Sequence, residues 1–189
     1  DVAVELGAIT NPRVIQLASW LERWSYRRSD AVTVLSEDLR DNLVAKIRGT
    51  VPDAHDRIRV IPNFVDTARI TPREPDAGTY RAEHGLTGKR VVMYAGNVGF
   101  SQSLDLVVEA ARACGERPDL ADVVFVVNGG GSARPQLEKQ AAGLGNVVFV
   151  DFQPKERLPE VLAAADIHVV PLRRGLARSS VPSKTYSIL

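Results

Sequence analysis

Two rhythms of apolar and polar positions run through this chain. From about Asn11 to Arg28, Val14, Leu17, Leu21 and Trp24 recur at helical spacing, with Pro12 in the first turn. That pattern predicts a helix packed through its apolar stripe. Ala31–Leu35 is a short strand of largely β-branched residues, and Ser36 then caps a helix with Leu39, Leu43, Val44 and Ile47 on one face. Ile58–Ile61 predicts a further strand. Between Asp66 and Gly88, Pro72, Pro75, Gly78 and Gly85 interrupt a charged stretch, read as a surface linker with a short helix near Tyr80–His84. Regular alternation follows. A strand at Val91 leads to a helix at Leu104, and Val123–Val127 leads to a helix starting near Ser132. Val147–Val150 leads to a helix with Leu158, Val161 and Leu162. Ile167–Val170 leads through the loop Pro171–Pro182 to a last helix at Ser183. Such alternation with short connections predicts an α/β fold, a Rossmann-like parallel sheet with helices on both faces.

Composition narrows the class. The 189 residues are 44% hydrophobic and 25% charged, ordinary for a globular protein, and the net charge of +1 offers no basic field for nucleic acid. The single cysteine, Cys114, rules out an internal disulfide and a cysteine-based metal cluster; it reads as a small buried hydrophobe. No apolar run approaches the roughly 20 residues of a membrane span. No signal-peptide pattern opens the chain at Asp1–Ala8. The chain lacks an initiator methionine and stops within a helical pattern, so it reads as a fragment at both ends. Trp20 and Trp24 with Arg23, Arg27 and Arg28 also fit a helix lying on a membrane surface, but Glu22 and Asp30 dilute that charge and favour packing.

Candidate chemistry gathers in the loops that follow strands. Val91–Ala95 breaks at Gly96-Asn97-Val98-Gly99, a strand-to-helix turn of the kind that stands at the ligand edge of a parallel sheet. Ser101 or Ser103 would cap the next helix and turn its free N–H groups toward an anion. The other reading is a plain connecting turn. Asn128-Gly129-Gly130-Gly131 has no side-chain bulk after Asn128, so a flat base or ribose could lie on it; its spacing is not a dinucleotide fingerprint, and Gly85–Lys89 is not a phosphate loop of the ATPase type. The last loop holds Arg173, Arg174, Arg178, Ser179 and Ser180, then Ser183 and Lys184 after Pro182. A hydroxyl, an ammonium and helix-terminal N–H groups at one point would make a phosphate site. His55 and His84 fall in polar loops, and His168 in a buried strand pattern. No Ser–His–Asp set, paired carboxylate or metal cluster is placed, so no residue is assigned a catalytic role.

These stretches resemble the family 4 glycosyltransferases of the two-domain GT-B type. Thr33–Ser36 and Ile61–Asp66 are similar to the interdomain crossing, Tyr94–Gly99 with Ser101–Asp105 to the first donor loop, and Gly145–Phe149 to the entry into the nucleoside strand. Val181–Leu189 is similar to the branch that includes surface-polysaccharide transferases. The resemblance implies residues 1–66 as a remnant of the acceptor-side domain with the crossing, and 67–189 as a donor-binding domain. It implies that Gly96, Asn97, Gly99 and Gln102 lie against a diphosphate, that Asn128, Gly129, Gly130, Phe152 and Gln153 line the nucleoside, and that Ser183 and Lys184 hold phosphate or ribose. The donor would be a nucleoside-diphosphate sugar, with no cofactor or metal, and the acceptor a saccharide or a lipid-linked saccharide. Retention at the anomeric centre, a cytoplasmic location at the inner membrane face with peripheral membrane contact, and no activity from the isolated fragment are the accompanying expectations. Ser179 and Ser187 stand where many relatives carry two glutamates, and Ser101 and Gln102 stand near a usual Arg and Lys. A nucleotide-sugar epimerase of the same architecture and a non-catalytic binding module stay open as alternatives.

Overall fold

The computed structural model describes residues 4, 7, 9–49, 54–176 and 180–188, so the readings of Arg178, Ser179 and most of Asp1–Ala8 lie outside the described residues. The chain divides into two compact units. One is Asp1–Phe64 with Leu172–Ser183, the other Val65–Pro171 with Lys184–Leu189.

In the first unit, α1 (Pro12–Arg28) starts where the Asn11 side chain accepts the Arg13 N–H, with Pro12 in the first turn. Two parallel strands, β1 (Val32–Val34) and β2 (Ile58–Val60), flank α2 (Glu37–Ile47), whose cap is Ser36 as expected, and the one-turn α3 (Ala54–Arg57). The core of this unit is small: Leu43, Ile47 and Ile58, with Tyr26, Val32, Val34 and Val44 against it. Here the sequence expectation needs correction. α1 forms but buries no residue, and Leu17, Trp20 and Trp24 are each about half exposed. Only Tyr26 reaches the core; the helix is otherwise tied by Glu22, which accepts from the Tyr26 hydroxyl and from Lys46 Nζ at 3.1 Å.

The second unit carries the sheet. Its strands are β3 (Arg90–Ala95), β4 (Val123–Asn128), β5 (Val147–Val150) and the short β6 (Ile167–His168), all parallel, in the order β5-β4-β3-β6. Alternating side chains feed two cores, as the two-residue strand period requires. Tyr94, Val123, Phe125 and Val127 pack on one face under α5 (Asp105–Gly115) and α6 (Arg134–Gln140). Val91, Met93, Val124, Val126 and Val150 pack on the other with α4 (Tyr80–Glu83) and α7 (Leu158–Ala163). Cys114 packs half-buried against the first core. At the edge opposite the glycine loops, Asp166 accepts from the Val91 N–H at 2.6 Å and from buried Arg81 at 2.9 Å. Arg81 also donates to Ala164 O, which fastens α4 to the sheet.

Four element boundaries differ from expectation. Neither Ser101 nor Ser103 caps α5: Leu104 holds the cap position without a side-chain bond, and Ser103 is left-handed (φ 45°), whereas a capping serine needs an extended backbone. The helix expected near Ser132 begins at Arg134, and β6 stops at His168. The last helix, α8, spans only Thr185–Ile188, so Ser183 and Lys184 lie in the turn before it.

Candidate functional site

The loops after β3 and β4 share one edge and are built on each other. Gly96 N donates to Asn128 O and Val98 N to Gly130 O, both at 2.8 Å; Ala133 N donates to Val98 O at 3.0 Å. The ladder of the sheet therefore continues through the turns. Gly129 (φ 143°) and Gly131 (φ 152°) adopt backbone that L side chains rarely take, and a Cβ on either would strike the backbone carbonyl of Gly96 or Val98. These glycines serve close approach of two main chains. The Gly99 N–H is also occupied, by Gln102 Oε1 at 3.0 Å. The backbone of this turn is thus largely bonded within the protein, and side chains must supply most of the chemistry toward an anion.

Lys184 is placed to supply it. Its side chain lies across Gly96, filling the space where a Cβ would stand, and its Nζ donates to the Tyr94 hydroxyl at 2.9 Å. Tyr94, fully buried, donates in turn to Asn97 O at 2.5 Å. Nothing negative meets the ammonium: among the described residues no carboxylate pairs with Lys184. Half-burial alone pulls its pKa below the usual lysine range, and burial pushes the Tyr94 phenol up to about 12. A half-buried cation whose partner among the described residues is neutral can bond an anion without giving up an ion pair.

The other expected residues are distributed as follows. Asn128 is buried; its Oδ1 accepts from the Tyr80 hydroxyl at 2.8 Å, and its backbone carbonyl accepts from the Gly96 N–H. The Phe152 ring is 60% exposed and its edge lies about a van der Waals contact from where a Gly130 Cβ would stand. Gln153 bonds Asp151 O and accepts from Arg157. Arg173 and Ser183 belong to the first unit, and both are exposed. His168 is half-buried, its Nε2 2.8 Å from Leu162 O, and burial lowers its pKa. Among the described residues no three His, Cys, Asp or Glu side chains gather as metal ligands, and no helix is long and apolar enough to cross a membrane.

Sequence reading passed over two residues of this edge. Arg134 donates to Gly129 O at 2.7 Å, to Asp151 at 2.5 Å and to Glu138 at 2.7 Å, clasping the loops after β4 and β5. Its signal was an arginine three residues after the glycine run, four before a glutamate. Tyr94 signalled itself as the one strand residue in β3 whose polar tip requires a partner when buried.

Residues 89–185, just over half the chain, match the model of the family described as glycosyl transferases group 1, and residues 8–69 match that of glycosyltransferase family 4. The chain is 32% identical to WcaI of Escherichia coli K12, named for colanic acid biosynthesis glycosyl transfer, over 94% of this chain and 42% of that protein. It is 27% identical to the alpha-D-kanosaminyltransferase of Streptomyces kanamyceticus, over 87% of this chain and 41% of the relative. It therefore spans less than half the length of these curated relatives. Among solved structures it resembles HepE of Anabaena in complex with UDP-glucose (TM-score 0.63, 19% identity, 81% of this chain, 41% of that one). It also resembles sucrose-phosphate synthase of Thermosynechococcus elongatus (TM-score 0.64, 19% identity, 91% of this chain, 43% of that one). The family match runs through every strand of the four-stranded sheet and all of its loops, the solved relatives share the GT-B type of fold, and the chain belongs to the group 1 glycosyl transferases.

Proposed function

We propose that the parallel-sheet unit holds a nucleoside-diphosphate sugar along its glycine-loop edge, and that the protein transfers the sugar to an alcohol of a saccharide or lipid-linked acceptor in surface-polysaccharide or glycolipid synthesis. The observation that carries this is Lys184, a half-buried ammonium laid over Gly96 whose partner among the described residues is the neutral Tyr94 hydroxyl. HepE, solved with UDP-glucose, supports the donor class, and the naming of WcaI supports the polysaccharide setting. In this reading residues 67–189 form the donor side and 1–66 the acceptor side. Gly96, Asn97, Gly99 and Gln102 lie toward the diphosphate, and Asn128, Gly129, Gly130, Phe152 and Gln153 toward the nucleoside. A lipid-linked acceptor would bring the reaction to the inner face of the membrane.

The chemistry follows from charge. As the bond from the anomeric carbon to the diphosphate breaks, its electron pair stays on the β-phosphate oxygen. The acceptor oxygen bonds to the anomeric carbon, and its proton passes, directly or through solvent, to the leaving phosphate oxygen. Lys184 stabilises the charge that grows on the leaving phosphate, a contribution larger in a partly desolvated site than in water.

Calorimetric titration tests the reading, using UDP, GDP, ADP and their nucleosides with wild type and Lys184→Ala. A charge-assisted contact contributes about 1.5–3 kcal/mol, so the preferred diphosphate should bind the variant roughly ten- to a hundredfold more weakly, with the bare nucleoside unchanged. Equal diphosphate affinity in the two proteins would remove Lys184 from the site.

A further inference from the structure

We infer that Tyr94 is a positioning residue for the donor's diphosphate, its hydroxyl holding the Lys184 ammonium on the Gly96 turn. This rests on the donor reading above and assigns a role to a side chain that no donor atom can touch, since Tyr94 is wholly buried.

The geometry determines which way the hydroxyl works. A phenol has one proton to give, and Tyr94 gives it to Asn97 O at 2.5 Å. Its oxygen is then left to accept, and the donor that reaches it is Lys184 Nζ at 2.9 Å. The ammonium lies 4.8 Å from the centre of the same ring, so one side chain both bonds and faces the cation. A lysine on its flexible stem has many competing rotamers. Here Gly96, lacking a Cβ, opens a channel for the stem, and Tyr94 supplies the end-point. Tyr94 also braces the carbonyl of Asn97 inside the glycine turn. The hydroxyl thus links the two elements that must agree in position for a phosphate to meet both. Burial keeps the phenol protonated, so it does not neutralise the lysine and leaves its charge available to an anion.

A double-mutant cycle separates positioning from ordinary core packing. Wild type, Tyr94→Phe, Lys184→Met and the double variant are titrated with the tightest of UDP, GDP and ADP, and with the matching nucleoside. Tyr94→Phe should lose about three- to tenfold in diphosphate affinity and keep its nucleoside affinity. In the Lys184→Met background the same change should cost nothing further. Full diphosphate affinity in Tyr94→Phe, or losses that multiply in the double variant, would overturn the role. Unchanged affinity in Lys184→Met would instead overturn the donor reading itself. Should Tyr94→Phe prove too unstable to titrate, wild-type protein labelled at tyrosine Cζ gives the answer. The Tyr94 signal should shift as inorganic pyrophosphate is added and stay still in Lys184→Met; a Tyr94 signal indifferent to pyrophosphate in wild type would refute the inference.

Discussion

At the residue scale, the glycines separate into those that approach other backbone and those that only turn. Gly129 has the first role, because its missing Cβ is where the Gly96 carbonyl passes. Gly129→Ala combines a disfavoured φ with overpacking against main chain, and should destabilise the protein by about 2–4 kcal/mol, read as a lower urea midpoint at unchanged slope. Gly143→Ala, at φ 84° but in open space, should cost only about 1 kcal/mol in the same assay. The positions of these glycines were legible in the sequence; their reason was not. Glycine after a strand announces a turn, whereas the carbonyl that fills the vacancy comes from a loop more than 30 residues away. Asn128 shows the same limit. Its place beside three glycines announced a loop, but not that the buried Tyr80 hydroxyl needs an acceptor and finds it in Asn128 Oδ1.

At the element scale, the parallel order of β3 to β6 could be expected from strand–helix alternation alone, and short α4 from the aromatic and charged residues between two glycines. What closes α4 onto the sheet depends on distant partners. Glu160 accepts from the Tyr80 N–H at 2.7 Å and from Arg157 Nε at 3.0 Å, and the Arg157 guanidinium, the largest cause, holds its carboxyl at about 2, below the ordinary 4.5. A carboxyl depressed in the folded state stabilises it above the unfolded pKa, and that contribution disappears as pH falls through the folded value. The stability difference between wild type and Glu160→Gln should therefore be full above about pH 5 and shrink toward zero near pH 2; chemical denaturation across that range measures it, and a difference flat with pH would contradict the linkage. Asp166→Asn takes the nearer counter-charge from buried Arg81 and leaves Asp76 at 3.9 Å. Because Asp166 is partly exposed, the loss should sit at about 1–3 kcal/mol, below that for a fully buried pair. The α1 stripe taught the opposite lesson. Helical spacing foretold the helix, but the packing expected of its stripe did not follow, because periodicity reports which residues share a side and says nothing of what meets them.

At the scale of the whole molecule, stability is uneven. The small core of Leu43, Ile47 and Ile58 anchors the first unit, whereas two layers of buried side chains clamp β3 and β4. Amides of β4 should exchange with solvent slowest and those of β1 and β2 at least tenfold faster under native conditions, as followed by hydrogen exchange with mass spectrometry. The nucleotide affinity should also be indifferent to chelation, with titrations in EDTA and in millimolar magnesium agreeing within about twofold; a large gain with magnesium would bring a metal into the donor site. One consequence of the interlocked glycine loops reaches past this molecule. At positions 129 and 131 a side chain would strike backbone from a φ that L residues rarely adopt, so, on the donor reading proposed above, a lineage or a mutant library that changes its preferred sugar or base has little vocabulary there. In the same reading, variation falls to Gln102, Phe152 and Gln153, whose side chains stand beside that frame. A combinatorial library confined to those three positions should yield altered donor preference at far higher frequency than one of equal size spread over the glycine turns.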